Sequence, residues 1–132
     1  PLRLVGSEMC IRDSIYVRMG AHTLIHKRTE DDIWKNLFEL PLVETEKDLS
    51  EEEFLACPQF HALFAEGEVR MVRTLLRGVK HVLSHRVIYT NFYEVTLPDN
   101  SSSFSSYQRV AVEDLGRYAV PRLIHAFLEK YV

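Results

Sequence analysis

The sequence predicts an α+β fold, a mixed β-sheet sandwiched by helices, and three stretches carry that prediction. From Val87 to Leu97 most positions are β-branched or aromatic, the composition of a strand. Ser50-Glu51-Glu52-Glu53 has the form of a capping box, a serine whose hydroxyl takes an amide proton three residues on and an acid that answers it, so a helix starts at Glu51. Leu123, Ile124, Phe127, Leu128 and Tyr131 recur at the spacing of one apolar helical stripe, which needs a sheet to cover. Strands first, a helix in the middle and a helix at the end make a layered α+β domain. At 132 residues with 46% hydrophobic residues, the chain can bury one core and is too short for two ordinary domains.

Taken in order, Gly6-Ser7-Glu8-Met9-Cys10-Ile11-Arg12-Asp13-Ser14 resembles the translation of sequencing-adapter DNA. Residues 1–14 are therefore expected to be a non-native or disordered leader that packs poorly, and residues 15–132 the domain proper. On that expectation an upstream part of the parent protein is missing. Ile15–Met19 and Thr23–Arg28, separated by Gly20-Ala21-His22, read as an opening β-hairpin. Asp31–Pro41 has no clean period and ends in a proline that forbids helix, so it reads as a loop running into a short strand. A helix from Glu51 to about Cys57 follows. Phe60, Leu63 and Phe64 stand at helical spacing on a segment that Gly67 ends. Pro98–Ser103 is a polar loop, Tyr107–Val112 a last short strand, and Val112–Leu115 a brief helical turn. Pro121 suits the first turn of the final helix.

Charge is unevenly placed. The net charge is -3, yet from Val69 to Tyr93 there is no acid while Arg70, Arg73, Arg77, Lys80 and Arg86 supply five fixed cations. Continuing a two-residue period through Leu83, Ser84 and His85 would mix apolar and charged groups on both faces, so these three read as the tip joining two strands. Ser84 and His85 then become exposed donors on a rigid support, or, more blandly, turn residues bonded to nearby backbone. The Arg70–Arg77 run has its own plain reading, a sheet edge blunted by charge. Ten carboxylates between Glu30 and Glu53 face only Lys35 and Lys47. Glu44, Glu51, Glu52 and Glu53 could serve as metal ligands, but hard cations need convergent oxygens, and first-turn acids already suit a helix dipole. His81 and His85 lack further ligands at a zinc spacing, so no metal site is assigned. Trp34 and Phe38 read as packing residues. Two cysteines, Cys10 and Cys57, suggest a reducing compartment. With no apolar run near the length of a membrane span, a cytoplasmic location without membrane contact is expected.

Lys27-Arg28, Asp32-Ile33-Trp34-Lys35-Asn36-Leu37-Phe38-Glu39-Leu40-Pro41, Val79-Lys80-His81-Val82-Leu83-Ser84-His85 and Tyr118-Ala119-Val120-Pro121-Arg122-Leu123, in that order, resemble the C-terminal domain of A/G-specific adenine DNA glycosylases of the MutY type. The resemblance implies a Nudix-like fold and a module that reads 8-oxoguanine opposite adenine in base excision repair. It implies a bacterial, nucleoid-associated protein and a monomer. The family's Phe-Ser/Thr-His loop aligns with Leu83, Ser84 and His85, which implies lesion contact there, with Arg77, Lys80 and Arg86 attracting the DNA backbone. Oxidation turns the N7 acceptor of guanine into a donor and adds a carbonyl at C8, so a hydroxyl that both donates and accepts can tell the two bases apart. Leu83 stands where the family has an aromatic; it can wedge beside a base pair but cannot stack on it. The family's glycosylase domain, with its catalytic carboxylates and its 4Fe–4S cluster, would lie upstream of residue 15, and adenine excision needs that pocket. No catalytic residue and no cofactor are therefore assigned within this fragment, and the implied partners are duplex DNA carrying 8-oxoguanine:adenine and the upstream glycosylase domain of the same chain.

The alternative is a Nudix-type nucleotide pyrophosphohydrolase. Its metal-binding box needs glycines and an Arg-Glu ahead of a Glu-Glu pair, and between Pro41 and Gly67 there is neither arginine nor glycine.

Overall fold

The computed structural model describes residues 9–29, 35–45, 49–64, 67–83, 86–101, 107–120 and 122–131. Its strands are β1 (Met9–Arg18), β2 (His22–Lys27), β3 (Phe38–Glu39), β4 (Leu42–Thr45), β5 (Met71–Leu83), β6 (Arg86–Thr96) and β7 (Gln108–Ala111). The helices are α1 (Glu51–Ala56), α2 (Pro58–Leu63) and α3 (Arg122–Tyr131), with a 3-10 turn at Val112–Arg117. Four strands form one mixed sheet in the order β4-β1-β6-β5, and three form a second, β3-β2-β7. No described helix is long and apolar enough to cross a membrane.

The centre of the larger sheet is a parallel ladder. β1 and β6 stay in register from Met9↔Val87 to Arg18↔Thr96, and a parallel pair needs cover on both faces. Both faces have it. One carries Ile15, Val17, Tyr93 and Val95 against Phe54 and Phe60 of α1 and α2, with Phe54 stacked on Tyr93 at 4.3 Å between ring centres. The other carries Tyr16 and Phe92 against Ile25 and Val110 of the smaller sheet and Ile124 and Phe127 of α3. Phe127 stacks on Phe92 at 4.1 Å. Ile124, Phe127 and Leu128 of the stripe expected on the final helix thus find their sheet, and the predicted layering of helices about a mixed sheet is the one observed.

Local signals act as chemistry requires. Ser50 Oγ accepts from the Glu53 amide while Glu53 Oε1 accepts from the Ser50 amide, so the capping box is complete. β3 is only two residues long, and a side-chain cluster fastens it to β2. The buried guanidinium of Arg28 donates to both Glu39 oxygens at 3.0 and 3.1 Å, and His26 Nε2 stands 3.0 Å from Glu39 Oε1.

Three expectations need correction. Residues 9–14 are not a loose leader: they form the first part of β1, with Ile11, Asp13 and Ser14 buried, because this stretch completes the ladder beside β6. The opening hairpin exists only as the Met19↔His22 bridge; beyond it β1 joins the larger sheet and β2 the smaller, since each strand buries against a different core. β4 was not expected, and it uses Leu42–Thr45 to pair with Ser14 through Ile11.

Removing the Phe54 ring by Phe54→Ala is expected to cost about 3–5 kcal/mol, read as a lower urea midpoint. Burial raises the pKa of Tyr16 above 10.0, Arg18 opposes the rise and Glu94 adds to it. The folded state therefore holds this proton more tightly, so its stabilisation is present below pH 10 and lost as pH rises past the folded value. Thermal unfolding across alkaline pH is expected to show that loss in wild type and a smaller one in Tyr16→Phe.

Candidate nucleic-acid interface

The hairpin of β5 and β6 is the longest pairing at the sheet edge, running from Met71↔Thr96 to Leu83↔Arg86. Its outer strand is not straight. The register slips between Thr74 and Leu76 and again between Leu76 and Val79, and Gly78 takes φ +67° at the second slip. A bulge with a left-handed glycine bends the strand and increases its twist.

Polar side chains fix that bend. The Gly78 amide donates to Asn91 Oδ1 at 2.8 Å, and Asn91 Nδ2 donates to buried Asp13 Oδ1 at 2.9 Å. Arg77 donates to Tyr93 Oη at 2.8 Å and to the Leu49 carbonyl at 2.7 Å. The Thr74 hydroxyl donates to Glu51 at 2.5 Å. Through these bonds the outer strand is tied to β1, β6 and the start of α1, and the direction of the distal hairpin follows from them.

Ser84 and His85 lie outside the described residues, as do the side chains of Leu83 and Arg86. The pairing places Leu83 inside β5, opposite Arg86, and not in the turn where the sequence reading put it. The cations divide into two groups. Arg73 binds buried Glu94 at 2.8 Å and Arg77 bonds within the fold, so both hold the sheet together. Arg70 and Lys80 are exposed and make no ion pair among the described residues. The sequence reading had set Arg77 beside Lys80 as a backbone contact, and it had no means of seeing the internal work of the guanidinium. It also missed Asp13 and Asn91, although an isolated glycine inside a strand pattern is itself a sign of a bulge.

Three of the four acids considered as ligands have other partners. Glu44 pairs with Arg12 at 3.6 Å, Glu51 accepts from Thr74 and Glu53 closes the capping box. Among the described residues no three His, Cys, Asp or Glu side chains gather as a metal site would require.

The family model of the NUDIX domain matches residues 14–130. The chain belongs to the NUDIX family. No curated protein matches its sequence significantly. Among solved structures, the C-terminal domain of mouse MUTYH, determined in complex with human PCNA, is similar at 15% identity and TM-score 0.66, over 92% of this chain and 86% of that one. The E. coli ORF135 protein matches at 17% identity and TM-score 0.60, over 98% and 91%. A Nudix hydrolase from M. smegmatis, RenU, matches at 11% identity and TM-score 0.61, over 93% and 82%. At these identities the likeness is one of fold.

For this NUDIX domain the bend in β5 has a direct test. Asn91→Ala leaves the Gly78 amide and the Asp13 carboxylate without their shared partner and is expected to cost about 1–3 kcal/mol. Urea denaturation gives the loss, and hydrogen exchange is expected to quicken more at Val79–Leu83 than at Met71–Thr74.

Proposed function

We propose that this NUDIX domain is a DNA-lesion recognition module of a MutY-type adenine DNA glycosylase, reading 8-oxoguanine opposite adenine. The observation that carries the reading is the distal β5–β6 hairpin. Its pairing reaches Leu83↔Arg86, the described residues that flank Ser84 and His85 in sequence, and Leu83, Ser84 and His85 match the family's lesion-contacting loop. Exposed Lys80 supplies the salt-sensitive attraction to phosphate and Arg86 adds to it, while Arg77, held by Tyr93 and the Leu49 carbonyl, is assigned no phosphate. Ser84 senses the N7 proton and C8 carbonyl of the oxidised base, and His85 adds a donor to base or phosphate. The likeness to the MUTYH C-terminal domain supports this assignment at the level of fold. On this reading the cleavage of adenine belongs to a glycosylase domain with a 4Fe–4S cluster, and the NUDIX domain binds without cutting.

Anisotropy with duplexes carrying 8-oxoguanine:A, G:A and 8-oxoguanine:C is expected to rank the first highest, and Ser84→Ala is expected to reduce that preference by about 1–3 kcal/mol. Equal binding to all three, unchanged by the substitution, rejects the reading. Incubation with 8-oxo-dGTP and magnesium is expected to release no pyrophosphate; turnover there would favour the hydrolase alternative.

A further inference from the structure

The distal hairpin has two faces, and the register decides which residues share each. Val79, Ile88 and Thr90 lie on one, since Val79 pairs with Thr90 and Ile88 stands two residues from Thr90 on β6. That face is closed: Ile88 is 2% and Thr90 1% exposed, and Val79 packs on the core beneath α3. The other face holds Lys80 opposite Tyr89 and Val82 opposite Val87. There Val82 is 65% exposed, one of two large hydrophobic side chains so exposed among the described residues, Lys80 is exposed, and Val87 and Tyr89 are half-buried. α1 covers Tyr93 on the same side, but Tyr93 is four residues further along β6, about 13 Å away.

We infer that the face formed by Lys80, Val82, Val87 and Tyr89 is a second DNA-contact surface, one that lies along the sugar–phosphate backbone of the duplex flanking the tip. The inference rests on the lesion-reading proposal for its partner and adds residues that proposal does not use. Charge complementarity selects the occupant. The face lies on a hairpin whose sequence has no acid from Val69 to Tyr93, and Lys80 makes no ion pair among the described residues, so a polyanion fits it. A second copy of the chain would bring the same cations against themselves. Valine side chains suit the apolar edge of deoxyribose, the lysine meets phosphate, and the tyrosine offers both a ring and a hydroxyl. Because the opposite face is buried in the core, a duplex held at the tip has only this side of the hairpin to lie against.

Paired charge substitutions test this. Val82→Glu puts an anion on the face, and Met71→Glu puts the same charge on the other exposed apolar position of β5, 52% exposed. Affinity for an undamaged duplex at low salt is expected to fall about tenfold for Val82→Glu, to hold for Met71→Glu, and to hold or rise for Val82→Lys, with all three melting as wild type does. Equal effects of the two glutamates, or a tenfold loss in Val82→Lys as well, overturn the surface. A wild-type dimer in sedimentation that Val82→Glu makes monomeric overturns it in favour of a second copy. A wild type that binds no duplex at all removes both the surface and the lesion reading. A Val82→Glu loss without any preference for 8-oxoguanine keeps the surface and removes the lesion reading alone.

Discussion

The parallel ladder between β1 and β6 is the constraint on which the other elements depend. A parallel pair calls for cover on both faces, and the chain supplies one on each side of Tyr16–Val17 and Phe92–Tyr93. The capped helix α1 with α2 provides one cover, and the smaller sheet with α3 provides the other. The two stacked ring pairs, Phe54 on Tyr93 and Phe127 on Phe92, stand on opposite sides of consecutive β6 residues. β6 is thus the strand to which both cores are anchored, and its continuation beyond the cores is the candidate interface.

That continuation explains how a fold with an acidic overall balance can present a positive edge. The arginines nearest the cores are consumed internally: Arg73 neutralises buried Glu94, and Arg77 ties the bulge to Tyr93 and the start of α1. Buried acids of this kind need such partners. Further out along β5, Lys80 is exposed without an ion pair among the described residues. Cationic side chains on one strand therefore do different work according to the groups beside them, a distinction that composition alone does not contain.

Much of the layering was legible because it rests on local signals. The capping box at Ser50, the apolar stripe of α3 and the β-branched run of β6 each report a nearby physical need. The parting of β1 from β2 was not legible, since a turn at Gly20 looks the same whether the strands pair throughout or diverge after one bridge. β4 was hidden for a similar reason, its four residues lying in a stretch dominated by acids. The role of Asp13 depends on Asn91, 78 residues away, and no short window holds both. At the interface the cationic run and the link between the strands were readable, but the assignment of Arg77 to internal bonding and of Val82 and Tyr89 to an open face required the register.

The divergence of β1 and β2 also bears on the order of assembly. β1 cannot acquire its parallel neighbour until the chain has been made as far as β6, and closing a loop of that length is slow because the entropic cost comes before any pairing repays it. The hairpin of β5 and β6, whose strands follow one another directly, has no such delay. During synthesis the arm that carries the cations can therefore form first and serve as the template on which the N-terminal strand later docks.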